Sequence, residues 1–243
     1  AMTTPALIRL TLATLIGFAL LVWLGTWQLQ RLEWKERIID RIETRTERKP
    51  VTLEQAVARA EQWGDPNYLR VTAEGRFHND LERYLYAIST EGQPGWHVIA
   101  PLETASGRVV LVDRGFVPED HRDPDTRREG QFESIVTVTG LVRTSEEPNL
   151  FSPDNDVDAN QWFTRDLGGM ARSMFPGGTV QVLPFFLEAE AGDVPGGWPK
   201  GGQTRLELPN KHLQYALTWF LLAACLLVIY AVCVWSVMTG RRS

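Results

Sequence analysis

The sequence predicts an α+β membrane protein in which two transmembrane helices flank a mainly antiparallel β domain with a few short helices. Leu10–Leu29 and Leu213–Met238 are the only two long apolar runs. A hydrocarbon core about 30 Å thick takes roughly 20 residues of helix, so each run can cross it once. The segment between them has ordinary soluble composition, and its β-branched and aromatic runs are separated by turn formers. This divides the chain into a short tail 1–9, a first transmembrane helix 10–30, a domain 31–212 with an N-terminal helical extension, a second transmembrane helix 213–238 and a short tail 239–243.

The first run ends in Trp27-Gln28-Leu29-Gln30-Arg31 and lacks a small-residue cleavage site, so it reads as a retained anchor. Leu32, Ile38, Ile39 and Ile42, set among charges, extend it as an amphipathic helix to about Arg48, where Pro50 stops it. Thr52 with Gln55 has the form of a capping box opening a short helix through Ala60. Strands follow at Tyr68–His78, Glu82–Thr90, Trp96–Glu103, Val109–Phe116, Ser134–Arg143 and Thr179–Glu188, with turns at Asn79-Asp80, Glu91–Gly95 and Ser106-Gly107. Short connections between consecutive strands favour antiparallel pairing, hence a twisted sheet or partial barrel. Asp166–Met174 is expected to form one short helix, and the glycine- and proline-rich Gly192–Gly202 a loop.

The net charge of -5 gives no footing for nucleic acid. Cys225 and Cys233 both lie in the second run, about 12 Å apart along a helix, too far for a mutual disulfide. Cysteine use leaves the compartment open. Two spans place both tails on one side of the membrane, and these tails are too short to fold, so function is expected in the domain or between the helices. Charge leaves the orientation undecided. Arg9, Arg241 and Arg242 lie in the tails, while Arg31, Lys35, Arg37, Arg41 and Arg45 are interleaved with Glu33, Glu36, Asp40 and Glu43.

Asp154-Asn155-Asp156-Val157-Asp158 begins like a calcium loop but has Ala159 and Arg165 where Gly and a bidentate Glu belong, so it reads as a solvated acidic loop. His78, His97 and His121 lack ligand spacing and read as surface or hydrogen-bonded structural histidines. The chain has no nucleophile elbow, phosphate loop, dinucleotide fingerprint or paired Cys-x-x-Cys, so it is not expected to be an enzyme.

The unusual chemistry is at the membrane edge. On a helix His212, Tyr215 and Trp219 project from one face, with Trp219 about 10 Å deeper than His212. Trp27, Gln28 and Arg31 of the antiparallel first span lie level with them. A flat, apolar, carboxylate-bearing ligand such as a heme suits this set: His212 as axial ligand to the iron, Trp219 and Tyr215 against the macrocycle, Arg31 or Lys211 for the propionates. An interfacial aromatic belt is the alternative reading.

At these residues the chain resembles the Surfeit locus family of cytochrome c oxidase assembly factors. The resemblance is carried by Gly25-Thr26-Trp27-Gln28-Leu29-Gln30-Arg31-Leu32-Glu33-Trp34-Lys35, Gly75-Arg76-Phe77, Gly95-Trp96-His97-Val98-Ile99-Ala100-Pro101-Leu102, Val112-Asp113-Arg114-Gly115-Phe116-Val117-Pro118 and the His212–Trp219 segment. It implies a heme a-binding protein that delivers or positions heme a in subunit I of a heme-copper terminal oxidase, in a bacterial inner membrane with the β domain periplasmic. It also implies that His212 and Trp219 are the heme-linked pair of the second span. For Trp27, Gln28 and Arg31 it leaves ligand contact and helix packing as alternatives. The implied partners are oxidase subunit I, with heme a synthase as a further candidate, and membrane lipid. A scaffold that steadies an oxidase intermediate without binding heme would need no His212. A two-span sensor would need an output module that 239–243 does not supply.

Overall fold

A computed structural model of the chain describes residues 4–148, 152–203 and 210–239. It contains four α-helices, α1 (Thr4–Thr46), α2 (Leu53–Trp63), α3 (Leu167–Met174) and α4 (His212–Thr239). Its strands are β1 (Val51–Thr52), β2 (Arg70–Phe77), β3 (Arg83–Ile88), β4 (Pro94–Glu103), β5 (Val109–Pro118), β6 (Val136–Arg143), β7 (Gln161–Trp162) and β8 (Val182–Ala189). Contacts divide the chain into two units, one built on the long apolar helices and the other comprising Ile42–Leu206. The tail cations Arg241 and Arg242 lie outside the described residues.

The two long helices run antiparallel, as a ladder of contacts shows. Thr11 Oγ1 and Tyr230 OH are 2.8 Å apart, Gly17 faces Leu226 and Gly25 faces Phe220, and Gln28 meets His212. From Thr11 to Gln28 the ladder covers about 26 Å of helix. Small residues make the approach possible: Thr14, Ala216 and Ala223 are buried, and a Cβ on Gly25 would lie 2.7 Å from the Phe220 ring. Close backbone approach of this kind is how helices associate where lipid tails are as apolar as the side chains. The outward faces expose Leu12, Ile16, Leu20, Trp23, Leu221, Val228, Ile229, Val232 and Trp235. Two long helices so apolar outside their mutual contact are those of a two-pass membrane protein. Helix α1 begins before Leu10 because Pro5 fits the first turn of a helix, and it ends close to the expected Arg48.

The second unit is a sheet curled on itself. Pairings run β2–β6–β8–β5–β4, and Arg76↔Glu103 with Phe77↔Leu102 join β4 back to β2, closing a five-stranded barrel. Strand β1 hangs on β2, and β3 followed by β7 on β4. At the closure β2 and β4 nearly touch: a Cβ on Gly75 would lie 2.3 Å from the Glu103 carbonyl oxygen, so only glycine fits. Pairings β1–β2, β3–β7 and β5–β8 are parallel and the rest antiparallel. Consecutive-strand reasoning misses the parallel pairs because 144–181, carrying β7 and α3, is long enough to bring β8 back beside β5 in the same direction. The two-residue strands are too short to show a period.

Val71, Phe77, Leu102, Val110, Val112, Phe185 and Leu187 fill the barrel, with Leu53 and Ala56 of α2 packed against them. Helix α2 opens on the expected capping box, Thr52 Oγ1 accepting from Gln55 N–H and Gln55 Oε1 from Thr52 N–H. It runs past Ala60 to Trp63, where Gly64 at φ 72° ends it. The other face of β5 and β8, Leu111 and Phe186, packs with Trp162, Met170 and Met174 under α3. With both faces covered, β5 is buried almost throughout, its apolar run broken only by Asp113, Arg114 and Gly115.

Candidate ligand site on the paired helices

Helix α4 begins at His212, where its chain enters the apolar pair, and α1 presents Gln28 from the stripe that also carries Thr14, Gly17 and Gly25. His212 Nδ1 lies 2.7 Å from Gln28 Oε1. An amide oxygen only accepts, so the imidazole donates from Nδ1, and in the neutral ring that leaves the lone pair on Nε2. A metal-binding histidine takes this form: one ring nitrogen donates to an acceptor that fixes the ring, and the other is left for the metal.

The flanks follow from helix geometry. Trp27 precedes Gln28 by one residue and Arg31 follows it by three; Tyr215 precedes the buried Ala216 by one and Trp219 follows it by three. At about 100° per residue each pair therefore leaves the contact stripe on the same flank, by roughly 60–100°. In antiparallel helices equal flanks fall on one side of the pair, so Trp27 and Arg31 share a side with Tyr215 and Trp219. Trp219 is half-buried and Tyr215 exposed. The Arg31 guanidinium lies 5.9 Å from the Trp27 ring centroid and 5.2 Å from that of Trp34. Trp34 was not singled out by the sequence reading, although the spacing 27, 31, 34 puts all three on one helix face. Lys211 is exposed at the start of α4.

The donor set fits a heme: one imidazole nitrogen, indole and phenol rings on the neighbouring flank, and a guanidinium packed over two indoles. Two clefts in the β domain do not. One of about 740 Å³ is lined by residues such as Val51, Thr72, Arg76 and Thr104, and one of about 480 Å³ by Phe77, Arg114, Phe132 and Val138. Neither lining includes His, Cys, Met or Tyr. Among the described residues no group of three or more His, Cys, Asp or Glu could hold a metal ion.

A sequence model described as the SURF1 family matches residues 15–224. The chain belongs to the SURF1 family. It is 36% identical to Surfeit locus protein 1 of Takifugu rubripes over 218 residues, covering 83% of this chain and 87% of that one. With Surfeit locus protein 1 of Homo sapiens the identity is 38% over 218 residues, 83% of this chain and 69% of the human one. A SURF1-like protein of Monosiga brevicollis is 34% identical over 219 residues, 85% and 80% of the two chains. The SURF1 match thus runs from within α1, through the barrel, to beyond Trp219.

Two SURF1 blocks of the barrel prove to hold buried charge, which the sequence reading did not anticipate. His97 Nδ1 lies 2.9 and 2.8 Å from the Asp113 carboxylate oxygens, and Arg165 Nη2 donates to the same group at 3.2 Å. Asp113 is fully buried, and Glu188 of β8 lies in the same cluster. Burial opposes ionisation of Asp113, but His97, Arg165 and the Gly115 N–H outweigh it and lower its pKa. Burial likewise opposes charge on His97, and the Asp113 carboxylate outweighs it and raises the imidazole. In a second network Glu82 accepts from Arg127, Arg114, Gln131 and Tyr84, and burial followed by the Glu82 charge pushes the Tyr84 phenol up to about 12. Both networks tie strands and loops of the barrel together through charge-assisted hydrogen bonds.

Proposed function

We propose that this SURF1-family protein binds heme a and delivers or positions it in subunit I of a heme-copper terminal oxidase. The observation that carries the reading is the hydrogen bond from His212 Nδ1 to Gln28 Oε1, which holds the ring so that the Nε2 of a neutral imidazole is left for iron, on helices that also carry Trp27 and Arg31 in contact with each other. When bound, the heme supplies an iron able to take an axial nitrogen ligand; the protein itself makes and breaks no covalent bond. His212 ligates, Gln28 holds its ring, Trp219, Tyr215 and Trp27 pack against the macrocycle, and Arg31 pairs with a propionate, with Lys211 available beside it. A carrier must also release, and a ligand on the first residue of a helix at the membrane boundary is easier to surrender than one enclosed on all sides.

In this reading the chain sits in a bacterial inner membrane with the β domain periplasmic, against the cations that follow the first span, since long domains override that count. Oxidase subunit I is the receiving partner, heme a synthase the candidate donor, and lipid covers the outward helix faces. The test is purification from cells that make heme a and from matched cells that stop at heme b. Co-purified heme a with a histidine-ligated visible spectrum supports the proposal. Protein that is folded, assembly-competent and heme-free in both backgrounds would favour a scaffold that binds no heme.

A further inference from the structure

We infer that Gln28 is a positioning residue whose neutral amide sets how firmly His212 holds iron, keeping the ligand weak enough to be handed over. The inference rests on His212 being the heme ligand. It starts from a contrast within one chain. The two histidines bonded through Nδ1 to a side-chain oxygen have different acceptors: His97 faces the Asp113 carboxylate at 2.8 and 2.9 Å, and His212 faces the Gln28 amide at 2.7 Å.

Both acceptors fix the same tautomer, but they act differently on the opposite nitrogen. A carboxylate draws the Nδ1 proton toward itself through a charge-assisted bond, roughly twice as strong as a neutral one, and leaves Nε2 the more basic and the tighter iron ligand. A neutral amide orients the ring with little of that push. The position matters as well, because Gln28 lies in the contact stripe of α1, where low polarity magnifies any difference in charge. Glutamate has the same length and shape as glutamine and would complete the same bond. The amide at residue 28 therefore separates orienting the ligand, which heme capture needs, from strengthening it, which would oppose release.

The experiment compares the full-length wild type, Gln28→Glu and Gln28→Leu, prepared in nanodiscs from cells that make heme a. Three quantities are read: the tautomer of the His212 ring in heme-free protein by ¹⁵N NMR, the reduction potential of the bound heme, and the rate of heme loss to excess apomyoglobin. The expected results are an Nδ1–H ring in the wild type that loses this preference in Gln28→Leu, a lower potential with several-fold slower loss in Gln28→Glu, and faster loss with lower occupancy in Gln28→Leu. Equal potentials and equal loss rates in all three proteins, or an Nε2–H ring in the wild type, would overturn the role of Gln28. His212→Ala carried in parallel separates the two claims: if it keeps wild-type heme, the ligand assignment itself fails, whatever Gln28 does.

Discussion

Gln28 Oε1 and His212 Nδ1 stand 2.7 Å apart, so one side-chain hydrogen bond joins the two membrane-spanning helices at the end where the chain passes into the β domain. At the other end the Thr11 and Tyr230 hydroxyls meet at 2.8 Å. Between these polar closures the contact is made by small residues with Leu226 and Phe220, close enough that a Cβ on Gly25 would lie 2.7 Å from the Phe220 ring. In the proposed reading a planar ligand lies along the flank that carries Trp27, Arg31, Tyr215 and Trp219.

Trp219→Leu should weaken heme retention several-fold and Trp235→Leu hardly at all, although both keep α4 apolar. Trp235 is 68% exposed and lies about 24 Å from Trp219 along the helix, where it serves as an interface anchor. Heme-to-protein ratios in matched membranes decide this. Equal losses would make Trp219 another belt residue.

The β domain alone, beginning near Thr52 and ending near Leu206, should fold and bind no heme a. Its barrel closes through β2–β4 pairing and has its own core. Circular dichroism checks folding, and heme titration followed by difference spectroscopy checks binding; stoichiometric binding by the folded fragment would move the site.

Glu82→Ala should destabilise that domain by about 3–5 kcal/mol, the cost typical of breaking a buried ion pair from one side. Glu82 is the carboxylate paired with both Arg114 and Arg127, whose side chains are nearly inaccessible. Denaturant midpoints of wild type and variant measure the loss.

Stability of the β domain should also fall as pH rises above neutrality. His97 is raised above its reference value of 6.5, so its contribution is complete below 6.5 and is lost as pH climbs through the higher folded value. Asp113 is lowered from 3.8, so its contribution is complete above 3.8 and is lost as pH falls toward the depressed folded value. The pair stabilises most between those two limits. Unfolding curves on either side of 6.5 should differ for the wild type, and His97→Gln should remove the difference.

Much of this was legible in the residues. Two runs of sufficient length announced the helices, Thr52 with Gln55 announced the start of α2, and alternation with turn formers located the long strands. What escaped had physical reasons. The parallel β5–β8 pair depends on where a long crossover lands, which no local pattern encodes. The burial of Asp113, Glu82 and Arg127 was not legible because it is decided by partners distant in sequence. On α1, Gln28 and Trp27 are neighbours in sequence yet leave the helix about 100° apart, so only the antiparallel partner tells which one touches His212. Trp34 carries no sign of its role in the local sequence, because it lies beyond the apolar run and only the path of the Arg31 side chain brings the two together.

The most direct test is the visible spectrum and heme-to-protein ratio of His212→Ala against wild type, both purified from cells that make heme a. The substitution removes the imidazole and its bond to Gln28 but leaves the barrel core and the small-residue helix contact in place. The account predicts that His212→Ala accumulates in the membrane at wild-type levels with its heme a largely lost. Wild-type occupancy with an unaltered spectrum would show that His212 is not the ligand and would contradict the proposal.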